Sequence, residues 1–183
     1  FNTENEEINE GLVRFDIVFY VRMKDGLSQI IINVEAQKDE PKGYEILNRA
    51  IFYVSRLISS QKERDFENSS YDDIKRVYSI WVCMNMDESS MSHVHLTKED
   101  LIGSYEWKGN LDLLNIIMLG LAKNLPEHDE TYELHRLLGA LLSKELTIDE
   151  KLNIIGNEYD IPIEENFRKD VSVMCNLSQG IKE

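Results

Sequence analysis

Asp25-Gly26 stands between two runs of alternating apolar and polar residues, and this constrains the fold more than any other feature of the chain. A two-residue type I′ turn needs positive φ at both central positions, and Asp-Gly is one of the pairs that supplies it. Residues 11–23 therefore read as one strand and residues 27–37 as its antiparallel return. With Asp25-Gly26 as the loop, Lys24 pairs with Leu27, so the numbers of paired residues sum to 51. Phe15 then faces Ala36, Ile17 faces Val34, Phe19 faces Ile32 and Val21 faces Ile30, all apolar pairs on one side of the ribbon. A slip of one residue would mix the two sides, so the register is well specified. On the other side Asp16 falls opposite Glu35, and Arg14 opposite Gln37.

Directly opposed residues have Cβ atoms roughly 4.5–5.5 Å apart. Two carboxylates at that distance repel each other, which destabilises the pair. A divalent cation converts the repulsion into ligation, because Mg²⁺ binds one or two carboxylates and keeps several waters. Such an ion can activate a water and stabilise charge on a phosphoryl oxygen. Gln37 projects from the same side and is suited to hold the attacking water or a phosphate oxygen. The competing reading is that Asp16 and Glu35 lie on a solvated sheet face, screened by Arg14. Opposed carboxylates alone leave both readings open.

Beyond the hairpin, residues 44–61 read as a helix with Leu47, Ala50, Ile51, Val54, Leu57 and Ile58 on its core side. Arg49, Tyr53, Arg56 and Ser60 form a polar stripe opposite that side, either a solvated face or a phosphate-contacting one. Residues 62–73 read as a polar loop, 74–86 as a third strand, and 111–122 as a further strand, although that apolar run would also suit a helix. Residues 130–145 and 149–159 read as amphipathic helices, with Pro126 and Pro162 just outside them. The order β-β-α-β-β-α-α implies an α/β core with a helical tail. His93-Val94-His95 puts two imidazoles on one face if extended, which zinc could use, but no third ligand is evident nearby, so an edge strand or loop is expected. Trp81 lies among strand residues and is expected in the core, whereas Trp107 is expected to be exposed and isolated.

The 183 residues carry 20 Lys and Arg against 34 Asp and Glu, a net charge of −14, which excludes a chain that grips phosphate backbones by bulk charge. Segment 38–64 runs the other way, with six basic against four acidic residues, a local net of +2. Cys83 and Cys175 lack metal-type spacing and read as reduced core residues. No apolar run reaches the roughly 18 residues of a membrane helix, and no basic-then-apolar leader opens the chain. A cytoplasmic protein with no membrane partner is expected. The chain starts at Phe1 without Met and is expected to be a fragment of something longer.

Asp16, followed after 18 intervening residues by Glu35-Ala36-Gln37 on a β-hairpin and then by a helix, resembles the PD-(D/E)XK nuclease superfamily. The runs NVEAQKDEPKGYEILNRAIFYVSRLISSQ and YSIWVCMN resemble more closely its family of nuclease-type transposases, related to the recombination-promoting nucleases. The segments YELHRLLGALLS and EKLNIIGNEYDIP in the tail are similar to that family as well. The resemblance implies a restriction-endonuclease-like core, a mixed sheet opened by a hairpin and flanked by helices, over 1–125. Residues 126–183 would then be a helical extension packed on it. It implies a metal-dependent DNA endonuclease using Mg²⁺ or Mn²⁺. Asp16 and Glu35 would be the metal-binding acids, with Gln37 in the catalytic position where the superfamily usually has Lys. A further acid often comes from a helix upstream of the strands, which would precede Phe1; Glu10 is a weaker metal candidate. Arg49, Tyr53 and Arg56 are the candidates for contacting phosphate. A homodimer would supply two active sites for two strands. Gln37 has no charge to stabilise a hydroxide or a pentavalent phosphate, so the alternative is an impaired nuclease-fold module acting in binding or assembly.

Overall fold

The computed structural model of the chain describes residues 17–22, 24, 29–39, 41–62 and 64–180, with the side chains of Gln29 and 173–180 excepted. Glu10, Asp16, residues 11–15 of the expected first strand and the Asp25-Gly26 turn lie outside the described residues, as does the side chain of Cys175. Strand β1 (Ile17–Arg22) pairs antiparallel with β2 (Gln29–Gln37). Ile17 faces Val34, Phe19 faces Ile32 and Val21 faces Ile30, the register that the hairpin implies. Helix α1 (Ile46–Ser59) then crosses over to β3 (Arg76–Met86), which lies parallel to β2. A parallel pair needs such a crossover, and a helix is the usual one. Strands β4 (Ser90–His95) and β5 (Leu114–Ala122) complete the sheet. Among the described residues its order is β1-β2-β3-β5-β4, a mixed sheet of five strands. The 111–122 run is thus a strand, and His93-Val94-His95 lies in the edge strand β4.

The chain gathers into two compact units, residues 1–83 with 90–119, and residues 84–89 with 120–183. In the second, α2 (Glu133–Leu142), α3 (Ile148–Tyr159) and α4 (Glu165–Gly180) follow one another. Helix α4 had not been expected. Its signal is Phe167, Val171 and Met174 at helical spacing just after Pro162. Helix α3 opens with a capping box, in which the Thr147 hydroxyl accepts from Glu150 N while the Glu150 carboxylate accepts from Thr147 N. Lys151, fully buried, donates its ammonium to the carbonyls of Leu141 and Ser143 at 3.0 and 2.5 Å, where α2 ends with unpaired acceptors.

In the first unit one face of the sheet is covered. Ile31, Asn33 and Glu35 of β2 and their neighbours Val77, Ser79 and Trp81 of β3 are buried on it. Ala50, Val54 and Leu57 are the buried apolar residues of α1. Leu47 and Ile51, expected on the core side, are exposed. Arg49, Tyr53, Arg56 and Ser60, expected opposite the core, are half-buried or, for Arg56, 5% exposed. The physical reason lies in the sheet. Its covered face carries Asn33, Glu35 and Ser79 among the hydrophobes, and buried polar groups need polar neighbours. The helix therefore turns its polar edge inward and leaves part of its apolar stripe in solvent. Gln61, at the end of this helix, is fully buried and pairs with Lys75 in both directions. Its amide donates to Lys75 O at 3.0 Å and its carbonyl accepts from Lys75 N at 2.7 Å.

Candidate active site

Glu35 sits near the end of β2 and is 3% exposed. The solvated-face reading therefore does not describe Glu35. It lies level with Trp81 across the parallel pair, and Gln37 lies level with Cys83. Alternation places Asn33, Glu35 and Gln37 on one face of the strand. Ser79 accepts hydrogen bonds from Asn33 Nδ2 at 3.1 Å and from Trp81 Nε1 at 2.9 Å, which ties β2 to β3 beside Glu35.

The helix adds a cation to this face. Arg49 donates from Nη1 to the Tyr44 hydroxyl at 2.9 Å and from Nη2 to the Tyr53 hydroxyl at 3.0 Å. Its Cζ lies 4.9 Å from the Tyr53 ring centroid, 5.5 Å from that of Trp81 and 5.8 Å from that of Tyr44. Tyr53 meets Trp81 edge-on at 5.6 Å. A guanidinium boxed in by three aromatic faces is held by both cation–π attraction and directed hydrogen bonds. Burial works against the Arg49 charge, but its bonds to Tyr53 and Tyr44 outweigh that and its pKa moves up. Arg49 Nη1 also makes a long 3.5 Å contact to Gln37 Oε1, while Gln37 Nε2 donates to Asp39 O at 2.8 Å. Both ends of the Gln37 carboxamide are thereby oriented.

The described residues thus bring Glu35, Gln37, Arg49 and Tyr53 to one sheet–helix face. Arg56 belongs to the same helix edge but is buried, which leaves it little surface to offer a phosphate. Asp16 and Glu10 lie outside the described residues. Among the described residues no group of three His, Cys, Asp or Glu side chains is arranged to hold a metal ion. The donor chemistry that Glu35 and Gln37 offer is nonetheless that of a hard cation, a carboxylate and a carboxamide on one face of the strand. Tyr44 and Trp81 were not singled out for this site. Tyr44 carries a motif-free phenol just ahead of α1, and the role of Trp81 depends on the β2–β3 register, for which no local signal exists.

Residues 2–146 match the family described as PD-(D/E)XK nuclease family transposase. The chain belongs to this family. The mixed sheet of a PD-(D/E)XK nuclease, opened by a hairpin and flanked by helices, is the restriction-endonuclease-like α/β fold, here with C-terminal helices after it. No curated protein and no solved structure matches the chain. Helices α3 and α4 follow the matched segment.

Elsewhere in this nuclease-family chain the sequence motifs have structural roles. Trp81 is in the core. His93 shares its Nε2 with Asn115 Oδ1 at 2.8 Å, and the His93 and His95 rings lie 4.8 Å apart on β4. Burial raises the pKa of the Cys83 thiol, in keeping with a reduced core cysteine. No helix among the described residues is long and apolar enough to cross a membrane.

Proposed function

We propose that this chain is a metal-dependent DNA endonuclease that hydrolyses phosphodiester bonds. The single observation that carries the reading is the buried Glu35 on a polar sheet face, next to a Gln37 that is held toward Arg49. A carboxylate is the ligand that a hard divalent cation takes from a protein, and Glu35 stands where the family resemblance puts a metal-binding acid. Asp16 and Glu35 would hold Mg²⁺ or Mn²⁺, with Glu10 the weaker candidate for a third acid. The ion would supply Lewis-acid stabilisation of the phosphate and a water of lowered pKa. Gln37 orients a water or a phosphate oxygen through its carboxamide. Arg49, kept cationic and pre-aimed by two phenols, steadies the non-bridging oxygens, and Tyr53 fixes its direction. Arg56, being buried, braces the helix edge instead of reaching DNA. Residues 1–125 would form the nuclease core and 126–183 a helical extension following it, in a cytoplasmic protein that acts as a homodimer.

One observation favours a second reading, an impaired nuclease fold that binds or assembles. Gln37 is uncharged, and both ends of its carboxamide are engaged within the protein. Nicking of supercoiled plasmid separates the two. The wild-type chain with Mg²⁺ or Mn²⁺ is expected to relax the plasmid, and Asp16→Ala and Glu35→Ala to fall to the level of the enzyme-free control, as does wild type with EDTA. Equal activity in all three proteins removes the site assignment. A wild type that binds DNA but never nicks it supports the second reading.

A further inference from the structure

His93 and His95 stand on β4, an edge strand of the sheet. Their bonds within the fold use one nitrogen of each ring. Buried Asn115 donates from Nδ2 to Asp112 O at 3.2 Å, which turns its Oδ1 toward His93 Nε2 at 2.8 Å. An amide oxygen only accepts, so in the neutral ring His93 Nε2 carries the proton and Nδ1 keeps its lone pair. His95 Nδ1 lies 3.2 Å from Leu96 O, again a pure acceptor, so here Nδ1 carries the proton and Nε2 keeps the lone pair. Metal-binding histidines are held in this way, with the second ring N–H given to a carbonyl or similar acceptor that fixes tautomer and ring direction. The two ring centres are 4.8 Å apart. Two imidazoles bound at roughly 2.0–2.1 Å to one ion have their centres about 5 Å apart.

The third ligand is a thioether. Side chains alternate along a strand, so Met91 falls on the same face of β4 as His93 and His95. Met91 is 60% exposed, open to an ion from solvent. The strand reads SMSHVH and carries neither a carboxylate nor a fixed cation. We propose that Met91, His93 and His95 form a binding site for copper as Cu⁺. Imidazole suits zinc, copper, iron and nickel alike, whereas a thioether selects soft ions, and copper is the ion that both favour. Mg²⁺ and Mn²⁺ are hard ions that take oxygen ligands, which this strand face does not offer them. The site is separate from Glu35. In sheet order β4 lies three strand spacings from β2, roughly 14 Å. It therefore goes beyond the nuclease reading and does not depend on it.

The test is titration of the 183-residue chain against Cu⁺ held in a coloured chelator complex, with ascorbate present and oxygen excluded. Wild type is expected to withdraw one equivalent. Met91→Leu and His95→Gln are each expected to weaken that uptake by more than the roughly 10- to 100-fold that losing a group that only supports a ligand costs. Both side chains are exposed, so both variants should keep the metal-free thermal melt of wild type, which separates lost ligation from lost fold. Cys175→Ser is expected to keep the equivalent. Uptake that vanishes in Cys175→Ser, or that persists undiminished in His95→Gln, overturns the proposal in favour of capture by a thiol. A wild type that takes no Cu⁺ overturns it, as does a Met91→Leu variant that takes it as wild type does. Uptake is read without DNA, so its outcome and that of plasmid nicking are distinct results.

Discussion

The Arg49 guanidinium lies 5.5 Å from the centroid of the Trp81 ring, and Trp81 stands level with Glu35 across the β2–β3 pair. A cation from the helix and a carboxylate from the strand are therefore brought to one small region by an indole that neither the helix nor the hairpin contributes. Charge-assisted bonds to Tyr44 and Tyr53 keep the cation in place. Replacing Arg49 by Lys keeps the charge but removes the planar fork that reaches both phenols. Nicking by Arg49→Lys is expected to fall roughly 10- to 100-fold, the usual cost of losing a group that orients a site. Plasmid-relaxation rates and a thermal melt check this. An unchanged rate with a lowered melt would mean that Arg49 only packs.

Gln61 acts as a piece of strand backbone made from a side chain. Its two hydrogen bonds close on the backbone carbonyl and N–H of Lys75, and it is fully buried. Truncation to Ala leaves one buried donor and one buried acceptor unsatisfied. Gln61→Ala is expected to lose about 2–4 kcal/mol, read as a lower urea midpoint at unchanged slope. A loss well below 1 kcal/mol would show that water replaces the amide freely.

Lys151 plays the corresponding role among the C-terminal helices. Its ammonium sits on the Leu141 and Ser143 carbonyls at the end of α2, where the helix dipole is negative. Lys151→Met fills similar space without the donors. It should destabilise the second unit by about 2–4 kcal/mol. Hydrogen exchange in α2 and α3 would locate the loss, which should spare β1 to β3.

Arg136 grips Glu158 with two bonds, Nε to Oε2 at 2.5 Å and Nη2 to Oε1 at 2.7 Å. The hydrogen bonds from Arg136 hold the Glu158 carboxyl below its ordinary value. The folded state thus favours the ionised form, and the unfolded state binds more protons as the solution is acidified. Stability from this pair is complete above the ordinary carboxylate value near about 4.3 and is lost as pH falls through the lower folded value. Glu158→Gln should therefore cost up to about 1 kcal/mol at pH near 7, a surface-pair magnitude, and almost nothing once Glu158 is protonated in both states. Urea titrations of both proteins at neutral and acidic pH measure the difference. A gap that widens on acidification would contradict the assignment.

Local rules were enough for much of the backbone of this protein, helix α4 excepted. The β1–β2 register followed from one turn and the pairing of apolar residues, since a period of two leaves no free choice once one side must match. The crossover helix, β3 and the first two C-terminal helices followed from periodicity, and the family from the Glu35-Ala36-Gln37 run with the segments around it. Which side of α1 faces the sheet did not follow. Leu47 and Ile51 obeyed the same spacing as Ala50 and Val54, yet Arg49, Tyr53 and Arg56 were drawn inward. That choice depended on Asn33, Glu35 and Ser79 meeting on adjacent strands, and strand adjacency is set by the crossover, 46 residues apart for Asn33 and Ser79. Burial of Glu35 and the aromatic box around Arg49 are likewise properties of what packs against what. Amino-acid order fixes each residue's period and chemistry; only the assembled sheet determines which neighbour satisfies a buried charge.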